Sequence, residues 1–331
     1  MALAIGLDIG GTKCAVSIGR EEADGLTILD KRVMKTAGGP EIMLPQLLDA
    51  ARGLLAAHGN PVVAGAGISC GGPLDSARGL ILSPPNLPGW DEVPVVETVS
   101  AALGVPAFLC NDADACALAE WRYGAGRGTQ NMIFLTFGTG LGAGLILNGQ
   151  LYSGSCGMAG EIGHVRLERF GPVGYGKAGS AEGFCSGGGI AQYGRSRVLA
   201  ERQQGRSPAF CDGLPLDAVD AKLIGQAAAA GDALALAIYR ECGEQLGRTL
   251  AILVDLLNPE CIVIGSIFVR SYNEIWPAAE EVLRAEALAP AYRACRVEKA
   301  LLGEQLGDMA ALALAFYHTT PAGETGKGAP Q

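Results

Sequence analysis

Two short segments carry residue types that could hold phosphate. In Asp8-Ile9-Gly10-Gly11-Thr12-Lys13 a carboxylate closes an apolar run and is followed by two glycines, a hydroxyl and an ammonium. Backbone amides in such a turn can converge on phosphate oxygens, and glycine tolerates the positive φ that a tight turn can demand. Asp8 is placed to hold Mg2+ or its water, because Mg2+ takes only one or two protein carboxylates beside phosphate. The second segment, Gly138-Thr139-Gly140-Leu141-Gly142, repeats the Gly/Thr chemistry. Each alone also reads as a glycine-rich hairpin, but two at matching points of a repeated pattern favour phosphate. The Walker arrangement is absent, which excludes a P-loop.

The surrounding elements form that repeated pattern. Leu3–Ile9, Cys14–Ile18 and Leu26–Met34 are three short apolar runs joined by turns, as in an antiparallel meander. Glu41–His58 is expected to be a helix whose buried face carries Ile42, Leu44, Leu47, Leu48, Ala51, Leu54 and Leu55. A strand at Val62–Ser69, a helix at Glu92–Leu103, a strand at Ala107–Leu109 and a helix at Asp114–Tyr123 follow. Asn111-Asp112 lies between the last two, where it can cap the helix, face a ligand, or do both. Met132–Phe137, the second Gly/Thr turn and Ala143–Leu147 then restart the pattern. Asp232–Leu257 reads as a long helix, Cys261–Ile264 as a buried strand and Gly307–Tyr317 as a final helix. Gln203–Asp217 reads as a surface loop and Thr320–Gln331 as a disordered tail. Two α/β halves result, each opening with a hairpin whose turn can face a shared cleft.

Bulk properties agree. The 331 residues, 49% of them hydrophobic, can fill more than one core. A net charge of −9 argues against a nucleic-acid groove, though not against a nucleotide held by backbone amides. The ten cysteines lack paired spacing and read as reduced thiols. No export segment or membrane-length apolar run is evident, so a cytoplasmic protein is expected.

Six motifs, in order, resemble the ROK family (repressors, open reading frames and kinases): DIGGTK at Asp8–Lys13, GISCGGPLD at Gly67–Asp75, PPNLPGW at Pro84–Trp90, NDADACALAEW at Asn111–Trp121, GTGLGAG at Gly138–Gly144 and AGEIGH at Ala159–His164. The resemblance covers roughly Leu3–Tyr317. It implies a two-lobed α/β fold of the sugar kinase, Hsp70 and actin (ribonuclease H-like) type, with duplicated ββαβα-type lobes and a central cleft. The expected lobes are 1–110 plus 305–319, and 111–304, with 320–331 as a tail.

The resemblance also implies an ATP- and Mg2+-dependent sugar kinase, commonly a homodimer. Asp112 matches the family's general base. Asn86, Asn111, Glu161, His164 and Glu182 match residues that hydrogen-bond sugar hydroxyls. Gly10, Gly11, Thr12, Lys13, Gly138, Thr139, Gly140, Gly142 and Gly265 fall to the nucleotide. Glu161 and His164, three apart, would share a face if their segment is helical. Glucose or another aldohexose phosphorylated at its 6-hydroxyl is the first expectation, with N-acetylglucosamine, N-acetylmannosamine or fructose as alternatives. A non-catalytic sugar-binding regulator is the reading from a different class. A repressor would carry a DNA-binding helix-turn-helix, and only seven residues precede Asp8.

The chain departs from the family twice. Where many relatives have a zinc-binding Cys-x-Cys-Gly-x-x-Gly-Cys segment after the histidine, this sequence has Val173, Tyr175 and Ser180 in place of the cysteines. Structural zinc needs four good ligands, so none is expected, and His164 must be oriented otherwise. At Gly265-Ser266 relatives usually have a Gly-Gly pair near the adenosine, so the adenine contacts are expected to differ.

Overall fold

The computed structural model describes residues 2–23 and 25–319. The expected tail at Thr320–Gln331 lies outside the described residues. Elements are labelled in chain order. The chain forms two compact units, Met1–Thr129 with Gly144–Ala159 and Leu301–Gln331, and Gln130–Ala143 with Gly160–Ala300.

In the first unit β1 (Ala2–Ile9), β2 (Lys13–Glu22) and β3 (Gly25–Lys35) form the antiparallel meander. β4 (Ala66–Cys70) and β7 (Ala107–Asn111) extend it in parallel, giving the order β3-β2-β1-β4-β7. Ala4, Ile5, Gly6 and Leu7 of β1 are all buried, which is why the strand reads as an unbroken apolar run. β3 is the edge, and its Asp30, Lys31, Arg32 and Lys35 keep that edge polar. α1 (Pro40–Ala57) buries Met43, Leu44, Leu47, Leu48, Ala51 and Leu54. Met43 takes the core position expected of Ile42, which is 46% exposed, because the spacing of Met43, Leu47 and Leu54 puts them on one helix face.

The short strands β5 (Leu74–Asp75) and β6 (Leu80–Ile81) pair, and Ile81 bridges to Val93. That bridge and Pro94 delay α2 to Val95–Leu103, three residues after the expected start. α3 (Asp112–Tyr123) begins two residues before its expected start. It packs against α11 (Leu306–Thr319), which places Asn111–Thr129 with the first unit and not with the second, where the sequence reading had drawn it. Glu120 of α3 is fully buried and accepts hydrogen bonds from Ala125 N–H and Leu302 N–H, both at 2.9 Å.

The second five-stranded sheet repeats the first. Its order is β10-β9-β8-β13-β14, from β8 (Met132–Phe137), β9 (Leu141–Leu147), β10 (Gln150–Leu151), β13 (Cys261–Ile264) and β14 (Arg296–Lys299). β13 runs parallel to both β8 and β14. The same succession of a meander and two added parallel strands is the duplication expected from the sequence. β11 (Val173–Gly174) and β12 (Lys177–Ala178) form a small hairpin before α4 (Ala181–Phe184) and α5 (Gly187–Gln203). α6 (Ala221–Ala229) and α7 (Ala233–Leu257) follow, α7 capped by Asp232, and then α8 (Ile267–Arg270), α9 (Tyr272–Glu286) and α10 (Ala289–Ala294). The segment read as a loop at Gln203–Asp217 contains a short 3-10 turn at Ala209–Cys211.

All ten cysteines are free. Among the described residues, no single helix is long and apolar enough to cross a membrane.

Candidate active site

In the first unit, the meander sets the turn between β1 and β2. Asp8 stands one residue before the end of β1, paired with Ala15 of β2 and Ser69 of β4. Thr36, just beyond β3, donates its hydroxyl to Gly10 C=O at 2.5 Å, and its N–H donates to Thr12 C=O at 3.1 Å. These bonds hold the turn while Gly11, Thr12 and Lys13 remain exposed. Neither glycine takes the positive φ that the sequence reading allowed for. Close approach explains Gly11 instead, since a Cβ there would collide with Asn86 C=O. That contact brings the Pro84–Trp90 loop to the turn. Gly11, Thr36, Gly39, Asn86 and Leu87 line a cavity of about 310 Å³.

Asn111 and Asp112 follow from the end of β7. Asn111 is the N-cap of α3, and its side-chain oxygen accepts Asp114 N–H at 2.7 Å. The capping alternative is therefore realised by Asn111, which leaves Asp112 as the first helical residue with an exposed side chain. Protein nevertheless packs densely around its carboxyl. That desolvation raises its pKa, opposed by the N–H groups of Ala113 and Asp112.

The pKa of Asp8 is pushed up to about 6, first by burial, then by Asp308 and Asp112, with Lys13 opposing. Asp308 was not singled out from the sequence. It lies in the first turn of α11, 9% exposed, and its carboxylate meets Lys31 Nζ at 2.8 Å. Its signal was an acid opening an otherwise apolar helix, but its nearness to Asp8 joins residues 300 apart. The crowding of negative charge at Asp8 fits a divalent cation, which would relieve it.

In the second unit, the turn between β8 and β9 is held by different groups. Gly142 N–H donates to Thr136 Oγ1 at 3.0 Å, and Gly187 N–H donates to Gly138 C=O at 2.8 Å. Glu182, in α4, accepts Leu141 N–H at 3.1 Å. Glu161 precedes a 3-10 turn at Ile162–His164, and both Glu161 and His164 are exposed. The tighter 3-10 repeat puts residues three apart in line, so the shared face expected for Glu161 and His164 has a structural basis. The His164 ring meets Tyr175 edge-on, centroids 6.2 Å apart, and its carbonyl accepts from Lys177 Nζ at 2.7 Å. The β11–β12 hairpin that stands in place of the cysteine segment thus braces the histidine. Ser180, at the third of those positions, is buried and caps α4 through Gly183 N–H.

Gly265 is buried after β13, its N–H bonded to Leu135 C=O at 3.0 Å. Ser266 has φ 55°, a conformation unfavourable for a side chain, where relatives would have glycine. Its hydroxyl lies 3.8 Å from where a Cβ on Gly138 would be, close to the Gly/Thr turn.

The first unit therefore brings together Asp8, Gly10, Gly11, Thr12, Lys13, Asn86, Asn111 and Asp112. The second brings Gly138, Thr139, Gly140 and Gly142 together with Glu182 and with Gly265.

A glucokinase of Streptomyces coelicolor is 36% identical to this chain over 267 residues, covering 80% of this chain and 82% of the relative. An N-acetylmannosamine kinase of Escherichia coli O157:H7 is 34% identical over 304 residues, covering 87% and 93%. The crystal structure of a ROK family glucokinase from Streptomyces griseus, in complex with glucose and AMPPNP, superposes with a TM-score of 0.73 at 32% identity, over 94% of this chain and 98% of that one. The family model for ROK matches residues 4–317, and the chain belongs to the ROK family.

Proposed function

We propose that this chain is an ATP-dependent sugar kinase that transfers the γ-phosphoryl group of Mg·ATP to a hexose hydroxyl, with Asp112 as the general base. The observation that carries the reading is an exposed carboxylate of raised pKa at the start of α3, in the same unit as the Gly10–Thr12 turn and Asp8. A base whose pKa rises toward the working pH takes a proton more readily while still being ionised. Asp112 accepts the hydroxyl proton as the new oxygen–phosphorus bond forms, and Asn86 and Asn111 orient the sugar. Glu161, His164 and Glu182 bond further hydroxyls, and a site built this way rejects analogues that lack them.

Asp8, directly or through water, is the residue that would hold Mg2+. The amides of Gly10–Lys13 and Gly138–Gly142 would hold phosphates, with Gly265 beside the adenosine. Bound Mg·ATP supplies the phosphoryl group and a cation that offsets its charge. The transition state of such transfers is loose, so alignment and charge stabilisation carry most of the rate.

Glucose, taken at its 6-hydroxyl, is the first substrate of this reading. The likeness to an N-acetylmannosamine kinase supports an N-acetylated hexosamine as the second. A cytoplasmic homodimer without structural zinc belongs to the same reading, since Val173, Tyr175 and Ser180 bring no thiolate. Coupled ADP release across glucose, mannose, fructose, N-acetylglucosamine and N-acetylmannosamine tests it. Saturable turnover on at least one sugar is expected, and sugar binding without ADP release would leave a non-catalytic regulator instead. Metal analysis of the purified protein and light scattering check the zinc and dimer parts.

A further inference from the structure

We propose that Glu182 couples sugar binding to nucleotide binding, one carboxylate oxygen holding the Gly138–Gly142 turn while the other takes a sugar hydroxyl. The proposal rests on the reading of Glu182 as a sugar residue and of that turn as a phosphate turn, and adds the link between them.

The link is local to the second unit. Glu182 Oε2 accepts Leu141 N–H at 3.1 Å, and a Cβ on Gly140 would stand 2.7 Å from the same oxygen. Among the described residues, Oε1 makes no hydrogen bond and is the oxygen left for a sugar hydroxyl. The helix that carries Glu182 is itself anchored. Ser180 caps it, and Ala181 N–H donates to Val165 C=O at 2.9 Å, next to His164.

Glu161 and His164 lie on the same rail. Ala143 N–H donates to Gly160 C=O at 2.8 Å, and a Cβ on Gly163, between Glu161 and His164, would collide with Leu141 C=O. The backbone that presents Glu161 and His164 therefore lies directly on the strand leaving the turn. Glu182 reaches the turn with its side chain.

A carboxylate fixed by a sugar hydroxyl on one oxygen holds Leu141 N–H more firmly with the other. The amides just before Leu141 are then held in place for phosphate. By linkage, each ligand must tighten the other by the same factor.

Isothermal titration of the full chain with glucose, or N-acetylmannosamine if glucose does not bind, and with Mg·ADP gives each affinity alone and with the other ligand present. In the wild type each should tighten the other by about fivefold or more, the lower end of allosteric coupling. Glu182→Ala should weaken Mg·ADP binding in the absence of sugar and bring the coupling factor near one. Glu182→Gln, whose amide can accept from Leu141 and still bond a hydroxyl, should retain part of it. Gly140→Ala, a change in the phosphate turn, should weaken sugar binding with no nucleotide present, because the methyl must displace the carboxylate.

If Glu182→Ala weakens sugar binding but leaves the coupling factor at its wild-type value, the link is wrong and the sugar assignment stands. If it weakens neither ligand, the sugar assignment of Glu182 fails and the proposal with it. A wild-type coupling factor of one overturns the proposal outright. Should Glu182→Ala fail to fold, Glu182→Gln and Gly140→Ala decide alone.

Discussion

The two Gly/Thr turns begin from one pattern and arrive at different chemistry. Asp8 stands two residues before Gly10, and Thr136 stands two residues before Gly138. In the second unit that position closes the hairpin, with Thr136 Oγ1 accepting Gly142 N–H at 3.0 Å. In the first unit the closing task has passed to Thr36, which bonds Gly10 C=O from beyond β3. Asp8 is thereby left free of the hairpin and gathers repulsion from Asp308 and Asp112. A duplicated backbone can supply amides to phosphate twice. The anionic charge is concentrated in one unit, beside the proposed base, while the other unit's turn is buttressed by neutral groups and Glu182.

The largest effect that tests this asymmetry is on turnover. Asp112→Asn should lower kcat by about 10²- to 10⁴-fold, while glucose affinity by calorimetry stays within about tenfold, a change of roughly 1.4 kcal/mol. Turnover near wild type would remove the base assignment.

A second measurement addresses charge stored at Asp8. Its folded pKa of about 6 exceeds the ordinary 3.8, so the folded state binds more protons between those values. Stability therefore falls as pH rises from about 4 to about 6, and the penalty is constant above that. Without metal, in EDTA, Asp8→Asn should stabilise the protein at pH 7.5 by no more than about 3 kcal/mol and leave it unchanged below pH 4. Equilibrium urea unfolding at both pH values reads this, and an Asn variant less stable at pH 7.5 would contradict it.

Copying the second unit's residue into the first sharpens the comparison further. Asp8→Thr should raise the Mg2+ concentration for half-maximal ADP release by about 10- to 100-fold, as for loss of an indirect metal partner. The smallest effect belongs to the turn that Thr136 closes. Thr136→Val should cost about 1 kcal/mol of stability and leave the Mg2+ requirement untouched. A Mg2+ shift there equal to that of Asp8→Thr would erase the distinction between the turns.

Much of this was legible because local rules and tertiary needs agreed. β1 reads as a continuous apolar run since both its faces are buried, and Asn111 is a strong capping residue that does cap α3. Where the structure departs from sequence expectation, a neighbour in space is the cause. Val93 pairs with Ile81, which holds α2 back to Val95, and Pro94 was the available warning. Met43 is buried in place of Ile42 because Met43, Leu47 and Leu54 share one face of α1, and Ile42, about 100° round the helix from Met43, falls outside it. The positive φ allowed for at the turns is not used, and at Gly11 and Gly140 the constraint is space, since a Cβ there would meet Asn86 in one case and Glu182 in the other.

The sequence by itself determined the duplicated α/β plan, the two turns, the family and the set of polar residues that chemistry could use. The plan and the turns follow from periodicity and local spacing, and the family and the polar set from the resemblance that the six motifs carry. Only the tertiary structure decided that Asp308 presses on Asp8, that Tyr175 and Lys177 brace His164, and that Glu182 reaches the second turn. Burial and electrostatic repulsion act through space, between groups that no spacing along the chain brings together.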